Sequence, residues 1–100
     1  MQSYYAAAFE RELGCTEREW LMWLPRAVHG HALTLDAGSA QVSIGAGRLE
    51  LHWQVLPPRQ IALARLPRLA VRFAFDEGVA EATRQDFMRR FDLYMMRGGG

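Results

Sequence analysis

The sequence predicts an α+β fold in which an antiparallel sheet of four to five strands packs against helices from both ends of the chain. Three observations lead to this prediction. Apolar and polar residues alternate over much of 31–76, as they do in strands with one buried face. Proline and glycine divide that region into short segments. Apolar residues recur at helical spacing on both sides of it, over 3–24 and 79–96.

A first short N-terminal helix is predicted from Ser3 to about Leu13. Tyr5, Phe9 and Leu13 recur at a spacing of four, which would place them on one helix face. Ser3 can cap the start of this helix, and Gly14 stands where a C-cap glycine is expected.

A second short helix is predicted to begin at Thr16. Thr16 and Glu19 match the S/T-x-x-E capping box, in which each side chain accepts a hydrogen bond from a free backbone N–H of the other residue. Pro25 marks the expected end of this helix. Trp20 and Trp23 predict an anchor in the domain's own core, and the alternative is a surface that contacts a partner.

The alternating region predicts a meander of short strands. We expect them at about 31–36, 40–45, 48–56, 59–65 and 68–76. Pro57-Pro58 and Leu66-Pro67 are interpreted as turns, because proline cannot donate a hydrogen bond to a central strand ladder. Short connections favour antiparallel pairing of consecutive strands.

A C-terminal amphipathic helix is predicted at about 79–96. Thr83, Phe87, Phe91 and Tyr94 lie at positions i, i+4, i+8 and i+11, which is the spacing of one helix face. We expect this face to pack on the apolar side of the sheet.

Length, charge and cysteine content limit the classes of protein to which this chain can belong. The 100 residues fit a single domain, 1–100, and the net charge of +1 gives no reason to expect nucleic acid or an anionic membrane as a partner. The one cysteine, Cys15, excludes an intrachain disulfide and fits a reducing compartment. Since no apolar run is long enough to cross a bilayer, the sequence predicts a soluble cytoplasmic protein without membrane association.

No motif names a reaction. The chain lacks G-x-S-x-G, a Walker loop, a dinucleotide fingerprint and H-E-x-x-H, so we expect no cofactor and lean towards a protein that is not an enzyme. The histidines are His29, His31 and His52, but strand alternation would place His31 and His52 on opposite sheet faces, and we predict no metal site. Cys15 precedes a helix N-terminus, and we interpret it as a structural thiol rather than a nucleophile.

The outer sheet face carries the candidate ligand site. Glu50 and His52 point away from the core on one strand, and Arg72 does so on another. An acid, an imidazole and a guanidinium can form a small polar site. The alternative function is therefore a small-ligand binder or enzyme with a pocket between helix and sheet, although the same residues are also typical of a solvated face.

Small residues on the same face predict an interface. Ala62, Ala64, Ala70 and Ala74 surround Arg72, and small side chains allow another layer to approach closely. The N-terminal helices or a second copy of the chain would cover this face. Our leading hypothesis is a non-enzymatic protein-interaction module that self-associates, with a homodimer or another protein as partner, through these alanines or through Trp20 and Trp23.

Nucleic-acid binding is a second alternative. Arg84, Arg89, Arg90 and Arg97 cluster on the predicted C-terminal helix, and a basic stripe is what binding to a phosphate backbone requires. Acidic residues on the same helix dilute this charge, so nucleic acid is not the partner that the sequence favours.

Overall fold

The chain forms an α+β structure with helices on one side of a single antiparallel sheet, in a computed structural model that describes residues 4–96. The elements of this part of the chain are β1 (Ala8–Leu13), α1 (Glu17–Ala27), β2 (Leu33–Asp36), β3 (Ser39–Ile44), β4 (Gly47–Ile61), β5 (Ala64–Phe75) and α2 (Glu81–Tyr94). The strand order is β1-β5-β4-β3-β2. The fold class and the antiparallel sheet are therefore confirmed, whereas the helix count is not.

The predicted first helix is wrong, because residues 8–13 form β1 and the described residues before them are not helical. This strand pairs antiparallel with β5, with Phe9 opposite Phe73 and Leu13 opposite Leu69. A spacing of four is also a multiple of two, so the pattern of Phe9 and Leu13 suits one strand face as well as one helix face. The pairing with β5, more than 50 residues away in the chain, decides between them. Ser3, the predicted cap, lies outside the described residues.

The second predicted helix is confirmed as α1, and its capping box is formed. The Glu19 backbone N–H donates to Thr16 Oγ1 at 3.1 Å, and the Thr16 N–H donates to Glu19 Oε1 at 2.9 Å. The helix does not end at Pro25 but continues to Ala27. Proline removes its own N–H donor and crowds the carbonyl four residues earlier. The helical bonding resumes after it, because the Val28 N–H donates to the Leu24 carbonyl at 3.2 Å.

The fourth predicted strand, 59–65, is also wrong. Strand β4 runs through Pro57 and Pro58 to Ile61, and a bulge between the Leu56 and Arg59 pairs absorbs the two prolines. The chain then turns at Ala62, whose φ is 53°, and returns as β5. Prolines are tolerated here because this part of β4 has only β5 beside it and no ladder on its other edge.

A two-stranded extension of β4 and β5 therefore projects beyond the sheet. We call its residues, 57–67, the arm. All of its residues except Pro67 are exposed. The molecule measures 47 × 30 × 22 Å, and the 15 residues of β4 at about 3.3 Å each account for the long dimension.

Both helices lie on one side of the sheet, which we call the inner face. Its strand residues alternate with those of the opposite, outer face, as the sequence pattern predicts. The ring of Trp20 on α1 lies 5.7 Å from that of Trp53, and the ring of Phe91 on α2 lies 5.5 Å from that of Phe73. The C-terminal helix thus packs on the apolar face as expected, although Thr83 is exposed. Neither helix in residues 4–96 has the length and apolarity of a membrane span.

A buried polar cluster holds β1 and the segment before it against α2. Arg11 donates to both carboxylate oxygens of Asp92, at 2.6 and 2.9 Å, and the Tyr5 hydroxyl donates to the same carboxylate at 2.5 Å. The Gln85 amide binds the backbone N–H and C=O of Tyr5 at 2.8 and 2.7 Å. Burial and the neighbouring Asp92 charge raise the pKa of Tyr5 to about 12. We call Tyr5, Arg11, Gln85 and Asp92 the anchor cluster.

Two tight turns meet beside the sheet. A Cβ on Gly47 would lie 2.5 Å from the carbonyl carbon of Gly78 and 2.6 Å from the backbone nitrogen of Val79. The Asp76 carboxylate accepts hydrogen bonds from the backbone N–H groups of Arg48 and Gly78 at 3.1 and 3.0 Å. The β3–β4 turn can therefore approach the start of α2 only where a side chain is missing.

We expect Asp92→Asn to lower the free energy of unfolding by about 3 kcal/mol, because it removes the charge that Arg11 binds in a largely buried site. Urea denaturation measures this loss. The matched control is Asp86→Asn on the same helix, whose exposed carboxylate lies 3.6 Å from Arg90 and contributes less than about 1 kcal/mol. Equal losses in the two variants would contradict the assigned role of Asp92.

Gly47→Ala should lower the free energy of unfolding by about 2 kcal/mol, since the added methyl group forces two backbone segments apart. Thermal or urea unfolding reports the change. At Gly14 an added Cβ meets nothing within 4 Å, so Gly14→Ala serves as the control and should stay within about 0.5 kcal/mol of the parent. A Gly47→Ala protein as stable as the parent would show that the two turns are not in contact.

Candidate functional site

The outer face of the sheet carries a row of polar side chains that crosses three strands. Glu10 on β1 is opposite Arg72 on β5, and Arg72 is opposite His52 on β4. We call these residues the polar row. Directly opposite residues in antiparallel strands have Cα atoms about 5 Å apart, so the row brings an acid, a guanidinium and an imidazole within about 10 Å.

An open depression of about 490 Å³ lies over this part of the sheet. Its lining comes from β1, β4 and β5 and includes all three members of the polar row. The other lining residues are Arg11, Glu12, Trp53, Gln54, Leu56, Ala70 and Val71. Among residues 4–96, Arg72 has no ion pair and no side-chain hydrogen bond, so its donors are available to a ligand or partner.

The predicted ligand residues are only partly brought together. His52 and Arg72 face each other in the depression, whereas Glu50 is opposite Ala74 and lines a separate depression of about 230 Å³. All of them point to the outer face, as their alternation predicts. The predicted location in a pocket between helix and sheet is therefore wrong, because both helices lie on the inner face.

Sequence reasoning missed the contribution of β1. Glu10 and Glu12 lie on the outer face because residues 8–13 form a strand, and the helix prediction hid their shared orientation. The Glu12 carboxylate lies 2.7 Å from Arg68 and 3.5 Å from Arg59. The hydrogen bond from Arg68 lowers the pKa of this carboxyl. Glu12 thus ties the end of β1 to the base of the arm.

The four predicted interface alanines separate into two groups. Ala70 and Ala74 are half-buried on the outer face of β5, next to the polar row. Ala62 and Ala64 are exposed at the tip of the arm. Within residues 4–96 this face has no second layer, because both helices lie on the inner side.

The two tryptophans of α1 differ in what they can contact. Trp20 is 0% exposed and packs between Trp53 and Phe91, so it offers no surface to a partner. Trp23 is half-buried and packs against the core. The core interpretation of this pair is the one that the structure supports.

The arginines of α2 do not form one basic surface. Arg84 is buried, and its Nε donates to the Tyr5 carbonyl at 2.9 Å. Arg89 and Arg90 are exposed, and Arg90 lies 3.6 Å from Asp86. Arg97 lies outside the described residues. The sequence pattern did not distinguish the structural arginine from its exposed neighbours.

The remaining candidates for chemistry are separated from one another. The His31 ring lies 5.5 Å from that of Phe87, and His29 occupies the turn after α1 with a φ of 54°. Within residues 4–96 no group of three His, Cys, Asp or Glu side chains is placed to hold a metal ion. Cys15 is buried, and burial with the nearby Glu19 charge raises the pKa of its thiol. A buried thiol with a raised pKa is a poor nucleophile.

Comparison with known proteins does not assign this chain to a family. No protein-family model matches the chain, and no curated protein matches it.

Proposed function

We propose that this chain is a non-enzymatic protein-interaction module that self-associates through the outer face of its sheet. One observation carries the proposal: the outer face of β1, β5 and β4 is uncovered by any described element, yet small residues occupy it beside the polar row. A solvated face of an antiparallel sheet carries polar side chains. At Ala70 and Ala74 such side chains are replaced by methyl groups.

The chemistry of the face suits a second copy of itself. Small side chains allow two sheets to pack about 10 Å apart. In a two-fold symmetric dimer each copy presents the same patch to the other, so Glu10 of one copy can meet Arg72 of its partner, and the reverse contact forms at the same time. The proposal also places the protein in the cytoplasm, because a single buried cysteine suits a reducing compartment.

The double variant Ala70→Glu/Ala74→Glu should be monomeric at concentrations where the parent is dimeric, since it places two carboxylates in the contact face. Sedimentation velocity from micromolar to millimolar protein measures this. Ala82→Glu on the exposed side of α2 is the control and should leave the dimer intact. A parent protein that stays monomeric throughout this range would overturn the proposal.

A second candidate function is the binding of a small anionic ligand in the depression. Its volume of about 490 Å³ lies in the range of known ligand pockets. The Arg72 guanidinium, which has no ion pair among residues 4–96, suits a carboxylate. His52 directly opposite can donate a second hydrogen bond when its ring is oriented towards the ligand.

For this candidate we expect an NMR titration with succinate to shift the amide signals of Glu10, His52 and Arg72, and to lose these shifts in Arg72→Gln. Arg89→Gln, on the exposed side of α2, should titrate like the parent. If the parent shows no saturable shift at these residues, the depression does not bind a small dicarboxylate and this candidate is rejected.

A further inference from the structure

We infer that the depression on the outer face binds a zwitterion, a small molecule of the amino acid type with one carboxylate and one ammonium group. This inference rests on the second candidate function, ligand binding in the depression, and specifies the charges of the ligand. Arg72 binds the carboxylate and Glu10 binds the ammonium group. Three observations support it: the signs of the unpaired charges, their positions and the lining beside them.

The depression has one unpaired charge of each sign. Its lining contains two glutamates and two arginines, Glu10, Glu12, Arg11 and Arg72. Arg11 and Glu12 already form ion pairs with other residues of the chain, at 2.6 and 2.7 Å. Among residues 4–96, Glu10 and Arg72 have neither an ion pair nor a side-chain hydrogen bond. A ligand that carries one positive and one negative group satisfies both of them.

The two unpaired residues are direct neighbours across the β1–β5 ladder. Glu10 is opposite Arg72, and both side chains are exposed on the outer face. Because their Cα atoms are about 5 Å apart, a ligand only a few bonds long can contact both charged groups. An exposed ion pair contributes little to stability, so a ligand that binds both groups can replace a direct contact between them.

The rest of the lining suits the uncharged part of such a ligand. Ala70 lies two residues before Arg72 on the same face of β5, and Gln54 is opposite Ala70. The methyl group of Ala70 leaves space above the sheet, and Leu56 adds a half-buried apolar side chain. An aliphatic chain can pack there, while the side chains of Gln54 and His52 offer hydrogen bonds.

A dianion is the main competing ligand. Its first carboxylate suits Arg72, but its second carboxylate would lie close to Glu10 and be repelled. A diamine has the opposite difficulty, because one of its ammonium groups would lie close to Arg72. Succinate, 4-aminobutyrate and 1,4-diaminobutane share a four-carbon chain and differ in the charges at its ends, so they distinguish these three possibilities.

The test is an NMR titration with these three probes, at neutral pH and at low salt, where exposed charges are least screened. The protein is kept dilute enough to be monomeric, because the proposed dimer contact uses the same residues. The dissociation constant of 4-aminobutyrate should be about fivefold lower than that of succinate or of 1,4-diaminobutane. Its binding should shift the amide signals of Glu10, His52 and Arg72.

Two variants examine the two ends of the ligand. Glu10→Gln should abolish the preference for 4-aminobutyrate over succinate, since it removes the group that attracts the ammonium and repels the second carboxylate. Arg72→Gln should abolish the binding of 4-aminobutyrate. Glu77→Gln removes an exposed acid that does not line the depression; it is the matched control and should keep the preference. Circular dichroism checks the fold of each variant.

The outcomes separate this inference from the candidate function on which it rests. If succinate binds at the polar row as tightly as 4-aminobutyrate, the depression is an anion site and the zwitterion is wrong. A preference for 4-aminobutyrate that persists in Glu10→Gln also overturns the inference, although the depression then still binds a ligand. If none of the three probes causes a saturable shift at the polar row, both the inference and the candidate function are overturned.

Discussion

The ion pair between Arg11 and Asp92 determines where the sheet ends. It joins residues 81 positions apart, and the Tyr5 hydroxyl and Gln85 amide complete the anchor cluster around it. Together these contacts hold the N-terminal segment against α2, so that β1 can lie along the free edge of β5. Without β1, the long strand β5 would itself be an edge, with its unpaired backbone groups open to other chains. The anchor cluster thus keeps β1 beside β5, so that β5 is not an open sheet edge.

The character of the outer face follows from the same constraint. Arg72 faces a carboxylate only because β1 is in register with β5 and brings Glu10 opposite it. Glu12 lies two residues further along β1 on the same face and contacts Arg59 and Arg68 near the base of the arm. A single polar cluster on the inner side therefore positions two carboxylates on the outer side. The part of the chain that completes the core also sets the charge of the surface that we propose is used for contact.

The sequence could predict a structural feature where neighbouring residues determine it, and could not where distant residues do. Alternation identified the buried sides of β3, β4 and β5, and the capping box identified the start of α1, because each depends on neighbouring residues. Phe9 and Leu13 fit both a helix and a strand, and only their distant partners on β5 exclude the helix. Pro57-Pro58 indicates a turn by every local rule, yet a bulge accommodates both prolines in a ribbon with one partner. His52 and Arg72 could be placed on the outer face by parity, whereas Glu10 could not be found until β1 was known.

The long range of the anchor cluster has a consequence for synthesis on the ribosome. The hairpins of β2 to β5 can form as soon as residue 75 has emerged, but β1 cannot complete its contacts until Asp92 has been made and α2 has folded. The first strand in the chain is therefore the last to be secured. During that interval the β1–β5 ladder holds β1 in place without the anchor cluster, so the edge of β5 is less well protected against pairing with other nascent chains. Because of the order of translation, β1 is the first strand to be synthesised and the last to form all of its contacts.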